Sequence, residues 1–214
     1  MASAKTILWE VDVQVDFMLP GGRLYFRNAE RIVPNVSRLV SAVRQGRSFL
    51  ISSADAHSRD DLELQRWPPH CLKGTLGAEL LPEAIAAPRL VIPNRKGFAL
   101  PADLRSYRQV TIEKNTLDVF DNPNTDSLLS CAEATPFPGA ARESEFAVFG
   151  VATEYCVRRT VEGLLRRRRT VAIVADGVAA VNEDEGRAVL EAMYAAGASS
   201  ITTEQALAVL PASP

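Results

Sequence analysis

The chain has 214 residues, 47% hydrophobic and 23% charged, with a formal net charge of −2. That is enough chain for one domain with a substantial core, in the usual balance of a soluble globular protein. A charge so close to zero leaves no electrostatic footprint for nucleic acid or an anionic membrane. The opening apolar stretch, "TILWEVDVQVDF", is interrupted by Glu10, Asp12 and Asp16. It does not read as a signal peptide, and no run approaches the roughly 18 apolar residues of a membrane span. Three cysteines, Cys71, Cys131 and Cys156, form no CxxC spacing, which points to a reducing, cytoplasmic setting rather than a disulfide framework.

In chain order, 5–14 ("KTILWEVDVQ") reads as a strand apolar enough to be covered on both faces. A helix is expected over 28–46, with Ile32, Val36, Leu39, Val40 and Val43 at helical spacing, Asn28 opening it, Gly46 closing it and Pro34 early enough to be tolerated. Strands follow at 48–55, 89–94 and 109–114, and then a helix around Cys131 that ends before the proline-rich loop 135–144. The remainder alternates: strand 145–151, helix 153–167, strand 170–176, helix 183–197, strand 199–203 and helix 204–210. This alternation predicts a single α/β domain over 1–214, with a mainly parallel sheet flanked by helices on both faces. The basic run Arg166–Arg169 falls at a predicted helix end, where cations complement the helix dipole and stay solvated.

Ligands of such sheets collect beyond the carboxyl ends of the strands. Cys156 falls there, about one turn into a helix that Thr153 could cap. The helix N-terminus would lower the thiol pKa, and its N–H groups could hold an oxyanion. The bland alternative is a small buried hydrophobe. Cys131 and Cys71 are weaker nucleophile candidates, and Cys71 as a metal ligand would point away from His70. A thiol needs a base; Asp12 is the candidate, with Glu10 a rival on the same face by period-two alternation unless it reaches solvent at the strand's start. A lysine between carboxylate and thiolate would hold both, and Lys114 and Lys96 compete for that place. Both histidines sit in "DAHSRDDLELQRWPPHC", residues 55–71. Asp55 and His57 at i and i+2 share one side of a strand end, and Glu63 and His70 could complete a nitrogen and carboxylate site, with Asp60 or Asp61 as alternatives at the third position. Such a set suits Zn²⁺, or alternatively Fe²⁺ or Mn²⁺, better than a structural thiolate site does.

Taken together, "VDVQVDF", "DAH…E…WPPHC", "IEKNTLDVFDNP" and "GVATEYCVRRT" resemble the isochorismatase-like cysteine hydrolases, and within them the nicotinamidase (pyrazinamidase) branch. The resemblance runs nearly the whole chain and implies a Rossmann-like three-layer fold. It implies Asp12 as general base, Lys114 rather than Lys96 as its partner, and Cys156 as nucleophile. It also implies a cis Val151–Ala152 bond, with the Ala152 and Cys156 amides forming the oxyanion hole. The metal set it implies is Asp55, His57, Glu63 and His70, Glu63 standing where many nicotinamidases have histidine. Isochorismatases proper lack both this ligand set and the cysteine. Glu10 departs from the family's usually apolar strand.

The reaction implied is deamidation of nicotinamide to nicotinate and ammonia through a Cys156 thioester, the metal orienting the ring, in NAD salvage. Phe17, Trp67 and Tyr155 are candidate ring walls, Trp67 by its match to the family's pocket aromatic. The expected partners are a small amide and further copies of the chain, not nucleic acid or membrane. Two alternatives stay open: an amidase of the same fold acting on a carbamoyl, ureido or other small amide, and a non-catalytic metal-binding protein on a hydrolase scaffold.

Overall fold

A computed structural model describes residues 5–137 and 144–212. Seven strands form one sheet: β1 (Lys5–Val11), β2 (Phe49–Asp55), β3 (Arg89–Ile92), β4 (Gln109–Lys114), β5 (Ser144–Val151), β6 (Thr170–Ala179) and β7 (Ser199–Ile201). Every pairing within it is parallel, in the order β3-β4-β2-β1-β5-β6-β7. Around it lie α1 (Val15–Met18), α2 (Val33–Arg44), α3 (Thr125–Ala134), α4 (Arg158–Arg166), α5 (Glu183–Ala195) and α6 (Thr203–Val209).

Two cores sandwich the sheet. Trp9 and Val11 of β1 pack with Leu128 of α3, Val161 of α4 and Met193 of α5. Leu8 of the same strand packs on the other face, with Leu39 and Val40 of α2 and Ala206 of α6. All seven residues of β1 and of β2 are buried, so helices on both faces leave these central strands no solvated side. This is the three-layer α/β arrangement expected from the alternation of elements. Among the described residues no helix is long and apolar enough to cross a membrane.

Several element ends differ from expectation, each for a local reason. The segment 28–46 divides into a 3-10 turn at Ala29–Ile32 and α2, with Pro34 in the helix's first turn, where its missing N–H is harmless. Asn28 bends the chain at φ 74 and makes no capping bond. The helix expected from 153 starts as a π-helical turn, Thr153–Val157, before α4. Its N-cap is Ala152, and no side chain caps it, so Thr153 does not have the expected role. Strand β7 stops short of 203 because Thr202 turns into a capping box with Gln205. The proline-rich loop 135–144 falls partly outside the described residues. Of the basic run, Arg166 does close α4, but the run is not simply solvated. Arg167 bonds Asp126 of α3 at 2.5 Å and lies 3.8 Å over the Phe120 ring, and Arg169 pairs with Glu133 at 2.5 Å.

Glu10 is the clearest correction. It reaches no solvent, being 0% exposed one residue before the end of β1. Burial pushes its carboxyl up to about 8, against the opposing pull of the nearby Ser52 hydroxyl and the hydrogen bond from the Val13 amide. A carboxyl raised in the folded state ionises in the unfolded chain first, so folding loses stability as pH climbs from the unfolded value towards 8. Wild type should therefore lose on the order of 3 kcal/mol relative to Glu10→Gln between pH 4.5 and 8.5. Urea unfolding of both proteins across that range checks this; parallel curves would refute it.

Candidate active site and metal centre

Beyond the carboxyl ends of β1, β2, β4 and β5 lies a cavity of about 250 Å³. Its polar end presents Asp12, Asp55, Glu63, His70 and Cys156, and Phe17, Trp67 and Tyr155 stand in its walls. The Trp67 and Tyr155 rings meet edge to face at 5.5 Å, and Phe17 lies 5.5 Å from the His70 ring. The segments expected to converge do so.

The Lys114 ammonium joins them. Fully buried at the end of β4, its Nζ lies 2.8 Å from Asp12 Oδ2 and 3.4 Å from Cys156 Sγ, and it donates to Asp55 Oδ1 as well. Lys96, the rival, is exposed on a loop. Burial alone would strip the Lys114 proton, but Asp12 and Asp55 outweigh it and hold the ammonium form. Burial would likewise raise Asp55, yet Lys114 and both histidines hold that carboxyl well below the usual range. Asp12 stays raised, because burial is only partly offset by Lys114. Cys156 is raised well above an ordinary thiol, chiefly by burial and against the pull of Lys114. The low thiol pKa expected from a helix N-terminus is thus not found. The buried π-turn keeps the proton on sulfur, and a base is needed to take it.

Asp12 reaches this cluster from a left-handed backbone position, φ 52, directly after β1 ends. Its Oδ1 accepts from Ser53 Oγ at 2.8 Å. The residues that follow hold the other side of the site. Gln14 clamps the Asp55 backbone, accepting its N–H at 2.8 Å and donating to its carbonyl at 2.7 Å. Asp16 accepts the Cys71 amide at 2.7 Å and the Arg23 amide at 3.0 Å, fixing the chain beside His70. A Cβ on Gly77 would lie 2.2 Å from that Asp16 carboxylate, so only glycine fits there. The sequence reading assigned roles to neither Gln14 nor Asp16. The signal was present, as polar residues alternating through an otherwise apolar strand end.

Asp55, His57 and His70 bring one ligand atom each within 4.8 Å of one another. Each histidine has its Nδ1 occupied, by Asp61 at 3.3 Å for His57 and by the Pro68 carbonyl at 2.8 Å for His70. Both Nε2 atoms therefore face Asp55, and the buried His57 Nε2 has no hydrogen-bond partner. An orphaned ring nitrogen among oriented N and O donors fits a divalent cation of the zinc type. Glu63 stands in the cavity wall outside this tight trio, its carboxyl raised by burial and by Asp55. Asp61 supports His57 rather than replacing Glu63, and Asp60 is exposed. Asp12, Asp55 and Cys156 also converge, but the Lys114 ammonium fills that position. Cys71 is fully buried, its thiol raised by burial and nearby carboxylates, and Cys131 lies on α3 away from the cavity.

The Val151–Ala152 bond is cis, and both residues line the cavity with Cys156. The Ala152 carbonyl accepts the Tyr155 and Val157 amides, at 3.0 and 3.2 Å, and so anchors the π-turn. Gly150, at φ 118, lets β5 run against β1, since a Cβ there would meet the Val11 carbonyl oxygen at 2.1 Å.

The cavity brings a buried thiol, a carboxylate and an ammonium together, and the comparisons point to a hydrolase. The isochorismatase domain model matches residues 6–205, so the chain belongs to the isochorismatase family. It is 27% identical over 218 residues to a nicotinamidase of Escherichia coli, covering 90% of this chain and 92% of that protein. It is also 27% identical over 195 residues to a nicotinamidase/pyrazinamidase of Mycobacterium tuberculosis, covering 87% and 92%. Among solved structures, the pyrazinamidase of Pyrococcus horikoshii in complex with zinc superposes with a TM-score of 0.71 at 23% identity, over 92% of this chain and 99% of that one.

Removing the Lys114 ammonium should leave Asp55 and Asp12 buried without the cation that both pair with. Lys114→Met is expected to lower stability by roughly 3 kcal/mol and to abolish turnover. Chemical unfolding beside an activity assay checks this, and an equally stable variant would contradict the charge arrangement.

Proposed function

We propose that the protein is a metal-dependent amidohydrolase that converts nicotinamide to nicotinate and ammonia, returning the ring to NAD synthesis. The observation that carries the reading is that Cys156, Asp12 and Lys114 meet within bonding distance beside a ring-sized aromatic cavity. The reaction starts from a protonated thiol. Asp12 takes the proton from Cys156 Sγ as the sulfur attacks the amide carbon, and the carbonyl oxygen gathers the negative charge. The Ala152 and Cys156 amides receive that oxyanion. Asp12 gives its proton to the departing nitrogen, the C–N bond breaks and ammonia leaves a Cys156 thioester. Water then adds to the thioester with Asp12 again accepting a proton; the C–S bond breaks and the thiol is restored. Lys114 keeps Asp12 oriented and offsets the negative charge passing between carboxylate and sulfur.

Phe17, Trp67 and Tyr155 hold the ring and exclude water from its faces. Asp55, His57 and His70, with Glu63 beside them, would hold a divalent metal, zinc by the chemistry of the donors, which supplies a Lewis acid for the pyridine nitrogen and so orients the ring.

Purified protein should release ammonia from nicotinamide. Cys156→Ala should lose at least 10³-fold in kcat, and chelation should abolish activity until Zn²⁺ is returned. No release by metal-replete wild type would overturn the substrate. Carbamoyl, ureido and other small amides would then be assayed on the same site.

A further inference from the structure

The geometry of β1 gives Glu10 a task. Side chains of a strand alternate between the faces of its sheet. Leu8 packs against α2, and Trp9 and Val11 pack on the opposite face with Cys156. Strict alternation would send Asp12 to the face of Leu8 and Glu10. The Lys114 and Asp55 side chains lie on the other one, in phase with Ile112 of β4 and Ile51 of β2. Asp12 joins them because its φ of 52 breaks the alternation. Val13 then falls in the core of Leu8, not in that of Val11, so the phase has slipped by one residue.

A left-handed aspartate among buried residues needs to be held there. Three bonds surround it: Asp12 N–H to the Ser53 carbonyl at 3.2 Å, Gln14 N–H to the Asp12 carbonyl at 2.8 Å, and Val13 N–H to Glu10 Oε1 at 2.7 Å. The first two are backbone bonds that any sequence could make. The third depends on the side chain at position 10. Ser52 lies in register with Glu10 on β2, and its Oγ accepts from Gln109 at 2.6 Å. The second carboxyl oxygen, Oε2, has no hydrogen-bond partner, so the Val13 amide is the one bond the carboxyl accepts among the described residues.

We infer that Glu10 is a positioning residue: by accepting the Val13 amide, its carboxyl holds the left-handed turn that carries the Asp12 carboxylate across to the Cys156 face. Glu10 touches neither the cavity nor Lys114, so it acts only through Asp12. This explains a fully buried acid on a central strand, a placement that is otherwise only a desolvation penalty. Burial keeps the carboxyl protonated at neutral pH, so glutamine, which also offers a carbonyl oxygen at the same reach, is its natural replacement.

The inference rests on Asp12 being the proton acceptor of the proposed reaction. The test therefore compares wild type, Glu10→Gln, Glu10→Met and Asp12→Asn by two readouts. Steady-state nicotinamide hydrolysis should show Glu10→Gln within about twofold of wild type in kcat. Glu10→Met should lose about 10- to 100-fold in kcat with KM little changed, the size expected for a catalytic group displaced by about an ångström. The pH profile of Cys156 alkylation by iodoacetamide needs no substrate. Glu10→Met should move towards the Asp12→Asn profile while Glu10→Gln stays with wild type. An inactive wild type sinks the nicotinamidase reading alone, since alkylation still reports the coupling of Asp12 to Cys156. Wild-type kcat and alkylation in a folded Glu10→Met would overturn the inference, as would equal losses in Met and Gln variants. Should Glu10→Met fail to fold, Glu10→Asp, one methylene short of the Val13 amide, makes the same cut. Fast hydrogen exchange at the Val13 amide of wild type would refute the contact without any variant.

Discussion

The site depends on one buried cation. Lys114 brings an ammonium group to a buried place where three groups able to carry negative charge, Asp12, Asp55 and Cys156, lie within its reach. Any of those carboxylates alone would be driven towards its neutral form by burial. Together they keep one lysine charged and one aspartate ionised, while burial raises both the second aspartate and the thiol. The same ammonium divides the carboxyl end of the sheet into two regions. On one side stand Asp12 and Cys156, the pair proposed to exchange a proton; on the other, Asp55 turns to the histidines. Asp55 belongs to both, binding Lys114 through one oxygen and facing the two Nε2 atoms with the other.

This division explains why supporting polar residues are so concentrated in "VDVQVDF". Asp12 stands on the Cys156 side, Gln14 clamps the backbone of the shared Asp55, and Asp16 fixes the loop that carries His70. A single strand end and short helix thereby tie β2 and the 70s loop to one frame. Much of that polar work is done by backbone N–H groups and carbonyls, so the donors are oriented before any ligand arrives.

Much of the site was legible in the residues. Cysteine, lysine and aspartate after separate strands, and a histidine pair among carboxylates, are rare enough in an otherwise apolar chain to point to chemistry. The alternation of strand and helix patterns was enough for the parallel sheet. What misled was local reasoning carried past a break in backbone geometry. Period-two alternation placed Glu10 and Asp12 on one face, and a helix-start rule gave Thr153 a capping role and Cys156 a lowered pKa. A left-handed residue at Asp12 and a π-turn at 153–157 overturn these, and neither has a sharp sequence signature.

The sequence by itself determined the layered fold, because apolar periodicity and strand–helix alternation are local properties summed along the chain. It also determined the chemical inventory, since residue types carry their own donors, acceptors and titrations. The tertiary structure alone decided which lysine is buried between the acids and which candidate metal ligands draw together while Glu63 remains in the wall. It also decided how protonated each group is. Those outcomes depend on distances and desolvation between segments far apart in the chain, which no local pattern encodes.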